Sequence, residues 1–194
     1  PGTHSNVIVE GRIEAPELSA LLTTAAAVIE LEVISHRQNA TPIEARGIHA
    51  AYDTASRRIV ATCATQNPHV MRTGIADVLG IPESELRLIA PDVGGGFGQK
   101  MALPPAYCVV VAIARLLRCS VAWIEDRREN LIAGFHSRDQ RLRLRGAYDG
   151  QGKLLALDAD VVANIGAYSS YPTTCGVEPL MAMAEMPGAY DLRH

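Results

Sequence analysis

Alternation with period two marks residues 28–35 (VIELEVIS), where Ile29, Leu31 and Val33 fall on one side and Glu30 and Glu32 on the other. A strand buried on one face has that pattern. Residues 48–52 and 58–65 are β-branched segments around the polar turn Asp53-Thr54-Ala55-Ser56, which predicts a hairpin. Asn67 before Pro68 then combines an N-cap with a proline at the first helical position. Val70, Met71, Ile75, Val78 and Leu79 give the following helix an apolar face, and Gly80 stops it. After a short strand at residues 86–90, Pro104 and Pro105 open a helix of about a dozen residues. It is apolar nearly all round and is expected to be buried.

Residues 120–125 (SVAWIE) predict a strand, and Asp126 with Glu129 a capping box for a helix over residues 127–133. Arg141, Arg143 and Arg145 alternate with Leu142 and Leu144 in a strand that turns at residues 149–152 (DGQG) into a partner over residues 153–164. Near the start, residues 6–14 are β-rich, and Pro16 opens a short helix reaching Thr24. From Gly166 onward no period is visible. Strands and helices mix without a strict βαβ rhythm, which favours an α+β fold, a mixed sheet with helices packed on it.

Composition narrows the classes. With 48% hydrophobic residues in 194, the chain can bury a core and is not disordered. A formal charge of −3 advertises no nucleic-acid or anionic-membrane partner. The longest apolar run, residues 106–114, falls short of the roughly 20 residues a membrane span needs. Cys63, Cys108, Cys119 and Cys175 lack the close spacing of zinc or iron–sulfur sites and are expected to be buried free thiols. The chain begins at Pro1 without a visible secretory signal, so it is expected to be processed or cut from something longer. Cytoplasm is the default compartment, with the periplasm left open.

The most informative segment is PDVGGGFGQK, residues 91–100. Consecutive glycines reach backbone angles closed to other residues and let peptide N–H groups converge on one ligand, here just before a helix. A turn needed only for packing is the alternative. The loop is neither a Walker A sequence nor the dinucleotide fingerprint. Gln66, at a strand end before the capped helix, can present an amide donor to an electronegative ligand, or simply bond nearby backbone. His69 is expected to be solvated or cap-bonded. Glu44 is expected to form an exposed ion pair with Arg46. Arg138, Arg141, Arg143 and Arg145 are expected on a solvated sheet surface. No catalytic triad and no HExxH or DxD metal motif can be assembled.

Three segments in this order, HRQNATPIEARG (residues 36–47), TQNPHVMRTGIADVLGIPESELRLIAPDVGGGFGQK (65–100) and WIEDRRENLIAGFHSRDQ (123–140), carry a resemblance. Together with GAY (166–168) and PGAY (187–190), they resemble the molybdopterin-binding large subunit of the xanthine dehydrogenase, aldehyde oxidase and carbon monoxide dehydrogenase family. The resemblance implies a molybdenum hydroxylase oxidising an aldehyde, CO or an N-heterocycle with water as oxygen source. Its cofactor would be molybdopterin with molybdenum, the cytosine dinucleotide form left open, and electrons would pass to FAD and [2Fe–2S] centres on partner subunits or domains. It further implies that Gln66 donates a hydrogen bond to an oxygen ligand of molybdenum without binding the metal itself. Gly95, Gly96, Phe97 and Gly98 would bring main-chain amides and an aromatic ring against the cofactor.

Departures from the family pattern refine this. Purine-hydroxylating members carry a substrate-binding glutamate where this chain has Met101, and the region of Glu178 and Pro179 offers no counterpart for their substrate arginine. The family's base glutamate is expected beyond residue 194. Residues 1–194 are therefore expected to be one partial molybdopterin-binding region, the N-terminal part of the cofactor-binding half of a longer subunit, and inactive alone. A noncatalytic assembly module or degenerate paralogue with a structural glycine loop, and a nucleotide-phosphate binder, are the alternatives.

Overall fold

The structure, a computed structural model, describes residues 5–173 and 176–192. The chain runs through α1 (Leu18–Thr24), β1 (Ala27–Ser35), β2 (Gln38–Asn39), β3 (Gly47–Asp53), β4 (Arg58–Cys63) and α2 (Pro68–Leu79). It continues with β5 (Leu86–Ile89), α3 (Pro105–Leu117), β6 (Val121–Ile124), α4 (Arg127–Ala133) and β7 (His136–Ser137). The last elements are β8 (Gln140–Tyr148), β9 (Leu154–Ala163) and α5 (Val177–Ala184). These elements fall into two units.

The first unit holds an antiparallel sheet in the order β1-β8-β9. Its register sets Leu31 opposite Leu144 and Glu32 opposite Arg143, so one face is apolar and the other a charge ladder. Glu32 accepts from Arg141 at 3.0 Å, and Arg145 pairs with Asp158. These arginines thus lie on the solvated surface their alternation predicted. The half-buried character expected for residues 28–35 is not found: Ile29 and Leu31 are 58% and 56% exposed. β1 is an edge strand, and α1 and α5 pack on β9. Residues 6–14 form no strand, although Val7, Ile8 and Val9 are apolar, because a strand exists only where a partner accepts its ladder. The aperiodic tail nevertheless contains α5.

The second unit is built on a sheet in the order β5-β4-β3-β6, with β4–β5 parallel and the other pairs antiparallel. The expected hairpin is β3–β4; period two sends Ile48 and Ala50 of β3, and Ile59, Ala61 and Cys63 of β4, into the core. Met71, Ile75 and Ala76 of α2 and Tyr107, Val110, Val111 and Ala114 of α3 are buried. α2 begins at Pro68 and ends at Gly80 with φ +62°, as predicted. Asn67 occupies the N-cap position, but its side chain does not cap. Helix α3 corrects the expectation of full burial: Val109, Leu116 and Leu117 are exposed on the side away from the sheet. The predicted capping box of α4 is present, with Glu129 N donating to Asp126 Oδ1 at 2.7 Å and Asp126 N to Glu129 Oε2 at 3.0 Å.

Cys63 and Cys108 are buried free thiols, and burial pushes Cys63 up to about 12. Cys119 is exposed, because it lies just past the left-handed Arg118 that ends α3; Cys175 lies outside the described residues.

Candidate functional site

The last residues of β4 lead through Thr65 and Gln66 into α2, alongside the loop that leads toward α3. The two strands of chain are stitched by main chain: Gln66 N donates to Lys100 O at 3.1 Å, and Thr65 Oγ1 donates to the same oxygen at 3.2 Å. Residues 66 and 95–98 therefore meet, although some 30 positions separate them.

The contact between them is close and directional. Gly98 N donates to Gln66 Oε1 at 3.2 Å. A peptide N–H can be met only by an acceptor, so this bond settles which end of the carboxamide is oxygen and leaves Nε2 as an outward donor. Among the described residues nothing accepts from Nε2. Gly96 is buried against the same side chain: a Cβ there would lie 2.3 Å from Gln66 Oε1. Gly95 and Gly98 have φ of +94° and +89°, and Phe97 itself sits at +49° and is 78% exposed. Gln99 N donating to Gly96 O at 2.9 Å closes the turn. Among the described residues no acceptor receives the N–H groups of Gly95, Gly96 or Phe97. The loop thus offers consecutive free peptide donors beside a free carboxamide donor, a set suited to an electronegative or anionic guest.

The loop's anchors are residues that local spacing could not identify. Glu44 does not pair with Arg46. Its carboxylate accepts from Gly94 N at 2.8 Å and from Lys100 Nζ at 2.5 Å, tying the loop's two ends together. The Lys100 ammonium, fully buried, holds the Glu44 carboxyl below its ordinary value, with the Gly94 N–H adding to the effect. Arg46 is buried and faces Glu125, because the register Gly47–Ile124 continues by one residue and Glu125 N donates to Arg46 O at 2.9 Å. Burial alone would raise the Glu125 carboxyl, but hydrogen bonds from Arg46 and Asn130 outweigh it and hold it low. Such a pair is retained only where both charges are fully hydrogen-bonded.

Asn130, wholly buried, continues this chain of contacts. Its Nδ2 donates to Glu125 Oε2 at 2.9 Å and to Gln99 Oε1 at 2.8 Å, and Gln99 Nε2 donates to Asn39 Oδ1 at 2.6 Å. Asn39, Glu44 and Arg46, then Gln66, Gln99 and Lys100, then Glu125 and Asn130 come from the three sequence segments that carry the resemblance. They converge on one loop. His69 is exposed in the first turn of α2. Among the described residues no group of three or more His, Cys, Asp or Glu could hold a metal ion. A concavity of about 770 Å³ lined by Tyr52, Arg58, Arg115 and Leu116 in the same unit includes none of the loop residues.

The sheets with their helices define an α+β fold, and the glycine loop on it presents main-chain donors without an acceptor among the described residues. The model of the molybdopterin cofactor-binding domain matches residues 1–194, and the chain belongs to that family. It is 33% identical over 188 residues to the nicotine 6-hydroxylase large subunit of Paenarthrobacter nicotinovorans, covering 96% of this chain and 23% of that protein. It is 31% identical over 167 residues to the carbon monoxide dehydrogenase large chain of Hydrogenophaga pseudoflava, covering 86% and 21%. The solved quinoline 2-oxidoreductase of Pseudomonas putida 86 superposes with a TM-score of 0.85 at 37% identity, over 91% of this chain and 22% of that one. The chain therefore spans about a fifth to a quarter of the relatives it matches. No helix of the described residues is long and apolar enough to cross a membrane.

Proposed function

We infer that residues 1–194 form the N-terminal part of the cofactor-binding half of a molybdenum hydroxylase large subunit, and that the loop at Gly95–Gly98 with Gln66 holds the molybdopterin cofactor. The observation that carries this is the row of unpartnered N–H groups at Gly95, Gly96 and Phe97 beside the unpartnered Nε2 of Gln66. A loop serving only to turn the chain would have no use for a side chain packed so tightly on Gly96 that no Cβ fits.

The residues fit the group. Gly95, Gly96 and Phe97 would donate main-chain hydrogen bonds to the anionic cofactor, each charge-assisted bond contributing about 1.5–3 kcal/mol. Gln66, held by Gly98, would aim its donor at an electronegative atom at the metal end. The exposed Phe97 ring would shield that end from water. When bound, the molybdenum cofactor supplies two-electron oxidation with water as the oxygen source. This chain's part would be binding, orientation and exclusion of solvent, and a glutamate base beyond residue 194 would move the proton. FAD and [2Fe–2S] partners would accept the electrons. The substrate is an aldehyde, CO or an N-heterocycle, and the names of the nicotine and quinoline relatives favour the last.

The test is metal and pterin analysis of the complete gene product. The wild type is expected to carry both in stoichiometric amount, and Gln66→Ala and Phe97→Ala to lose them. Full retention in both variants, or a wild type without molybdenum and pterin, refutes the assignment.

A further inference from the structure

We propose that Gln99 and Asn130 are positioning residues for the cofactor loop, setting the direction of its free N–H groups without touching the guest; the proposal rests on the cofactor reading above. The loop holds a residue in a disfavoured conformation. Phe97 adopts a left-handed φ of +49°, flanked by glycines at +94° and +89°, so an L-residue sits where its Cβ is disfavoured. What closes the turn is the main-chain N–H of Gln99 on Gly96 O at 2.9 Å. Gln99 therefore decides where Gly96 and Phe97 point.

Gln99 is in turn fixed by side-chain bonds in a region that water does not reach. It is 2% exposed and Asn130 is 0% exposed. Every polar atom of the Asn130 carboxamide is engaged: Nδ2 with Gln99 Oε1 and Glu125 Oε2, and Oδ1 with Arg127 Nη1 at 2.9 Å. Asn39 closes the ring from the other side, accepting from Gln99 Nε2 and donating its own Nδ2 to Asn130 O at 3.2 Å. An independent sign lies at Gly134. A Cβ there would stand 2.3 Å from Gln99 Nε2, yet Gly134 has an ordinary φ of −66°. Space, and not backbone freedom, requires glycine at the end of α4: a Cβ there would meet the Gln99 carboxamide and also the main-chain oxygen of Asn130, at 2.5 Å. The network thus couples α4 and the β6 terminus to the loop through the Gln99 side chain.

The experiment compares Gln99→Met and Asn39→Ala with Val111→Ala in the complete protein. Methionine keeps the length of Gln99 and its main-chain N–H, and removes its side-chain hydrogen bonds. Asn39→Ala is milder: it removes the Gln99 Nε2 contact together with the Asn39 bonds to Asn130 O and Thr41 N, and leaves the Gln99 Oε1 contact in place. Val111, buried in α3 and outside the site, supplies loss of stability without touching the network. The readouts are the rate of pterin release and the electron paramagnetic resonance spectrum of the partly reduced metal in the fraction still loaded. Gln99→Met should release pterin roughly tenfold faster with a shifted spectrum, and Asn39→Ala should move both in the same direction by less. Val111→Ala should melt earlier with release rate and spectrum unchanged. A normally loaded wild type with unaltered release and spectrum in Gln99→Met, or in Asn39→Ala should Gln99→Met not fold, overturns the positioning role alone. A wild type without molybdenum or pterin overturns the cofactor reading and this proposal together.

Discussion

Gly96→Ala is the sharpest perturbation the site allows. The added Cβ would stand 2.3 Å from Gln66 Oε1, 2.6 Å from Cδ and 2.9 Å from Cγ, whereas ordinary contact begins at 3.4 Å. Gln66 must therefore retreat by roughly 1 Å, since the methyl group is attached to the backbone and the glutamine is the more flexible partner. That movement breaks the bond from Gly98 N, a loss of about 1 kcal/mol, and adds overpacking of about 1–3 kcal/mol. Donor displacement of that size costs roughly 10²-fold in rate when the donor serves the reaction. Gly98→Ala is the matched control: a Cβ there meets nothing within 4 Å, so its cost is the φ of +89° alone and Gln66 stays in place. Thermal melting, molybdenum content and single-turnover reduction of the complete protein separate the two. Gly96→Ala is expected to lose metal or rate far beyond Gly98→Ala at similar loss of stability. Equal behaviour of the two variants would refute the role of the Gln66 donor.

Other consequences are equally measurable. Gln66→Glu keeps an acceptor for Gly98 N but removes the outward donor and adds negative charge, so the apoprotein should melt as wild type while molybdenum content falls at least tenfold. The depressed Glu44 carboxyl gives stability that is full above its ordinary value of 4.5 and lost as pH falls through the lowered folded-state value. Denaturant midpoints should therefore drop in acid for the wild type, whereas Glu44→Gln should lower them at neutral pH and flatten that acid limb. Asp126→Ala, which breaks the capping box of α4, should cost about 1 kcal/mol in denaturant unfolding and speed amide exchange in its first turn.

The elements with a local cause were legible. The hairpin β3–β4, the Pro68 start and Gly80 stop of α2, the Asp126–Glu129 box and the alternation of β8 each follow from neighbours in sequence. The meeting of Gln66 with the glycine loop was also expected, but through family resemblance and not through spacing. What could not be read was the partner of a charge. Spacing pairs Glu44 with Arg46, two residues away, yet each pairs with a residue far along the chain, 56 positions for Glu44–Lys100 and 79 for Arg46–Glu125. Gln99 and Asn130 carried no signal either, since an isolated amide in sequence shows nothing about the buried partner that will satisfy it. The exposure of β1 and of one side of α3 was missed for the same reason: an apolar pattern states what can be buried, not what arrives to bury it.

The order of residues by itself determined the hairpin β3–β4, the two ends of α2 and the cap of α4, and that a run of glycines would break the chain before α3, because those outcomes depend on interactions a few positions apart. Only the tertiary structure decided which donors stay free. That choice belongs to the sheet register that sets Arg46 against Glu125 and to the ring from Asn39 through Gln99 to Asn130. Burying those polar groups is unfavourable unless each finds its partner, and in the fold that satisfies them no acceptor among the described residues takes the N–H groups of Gly95, Gly96 and Phe97.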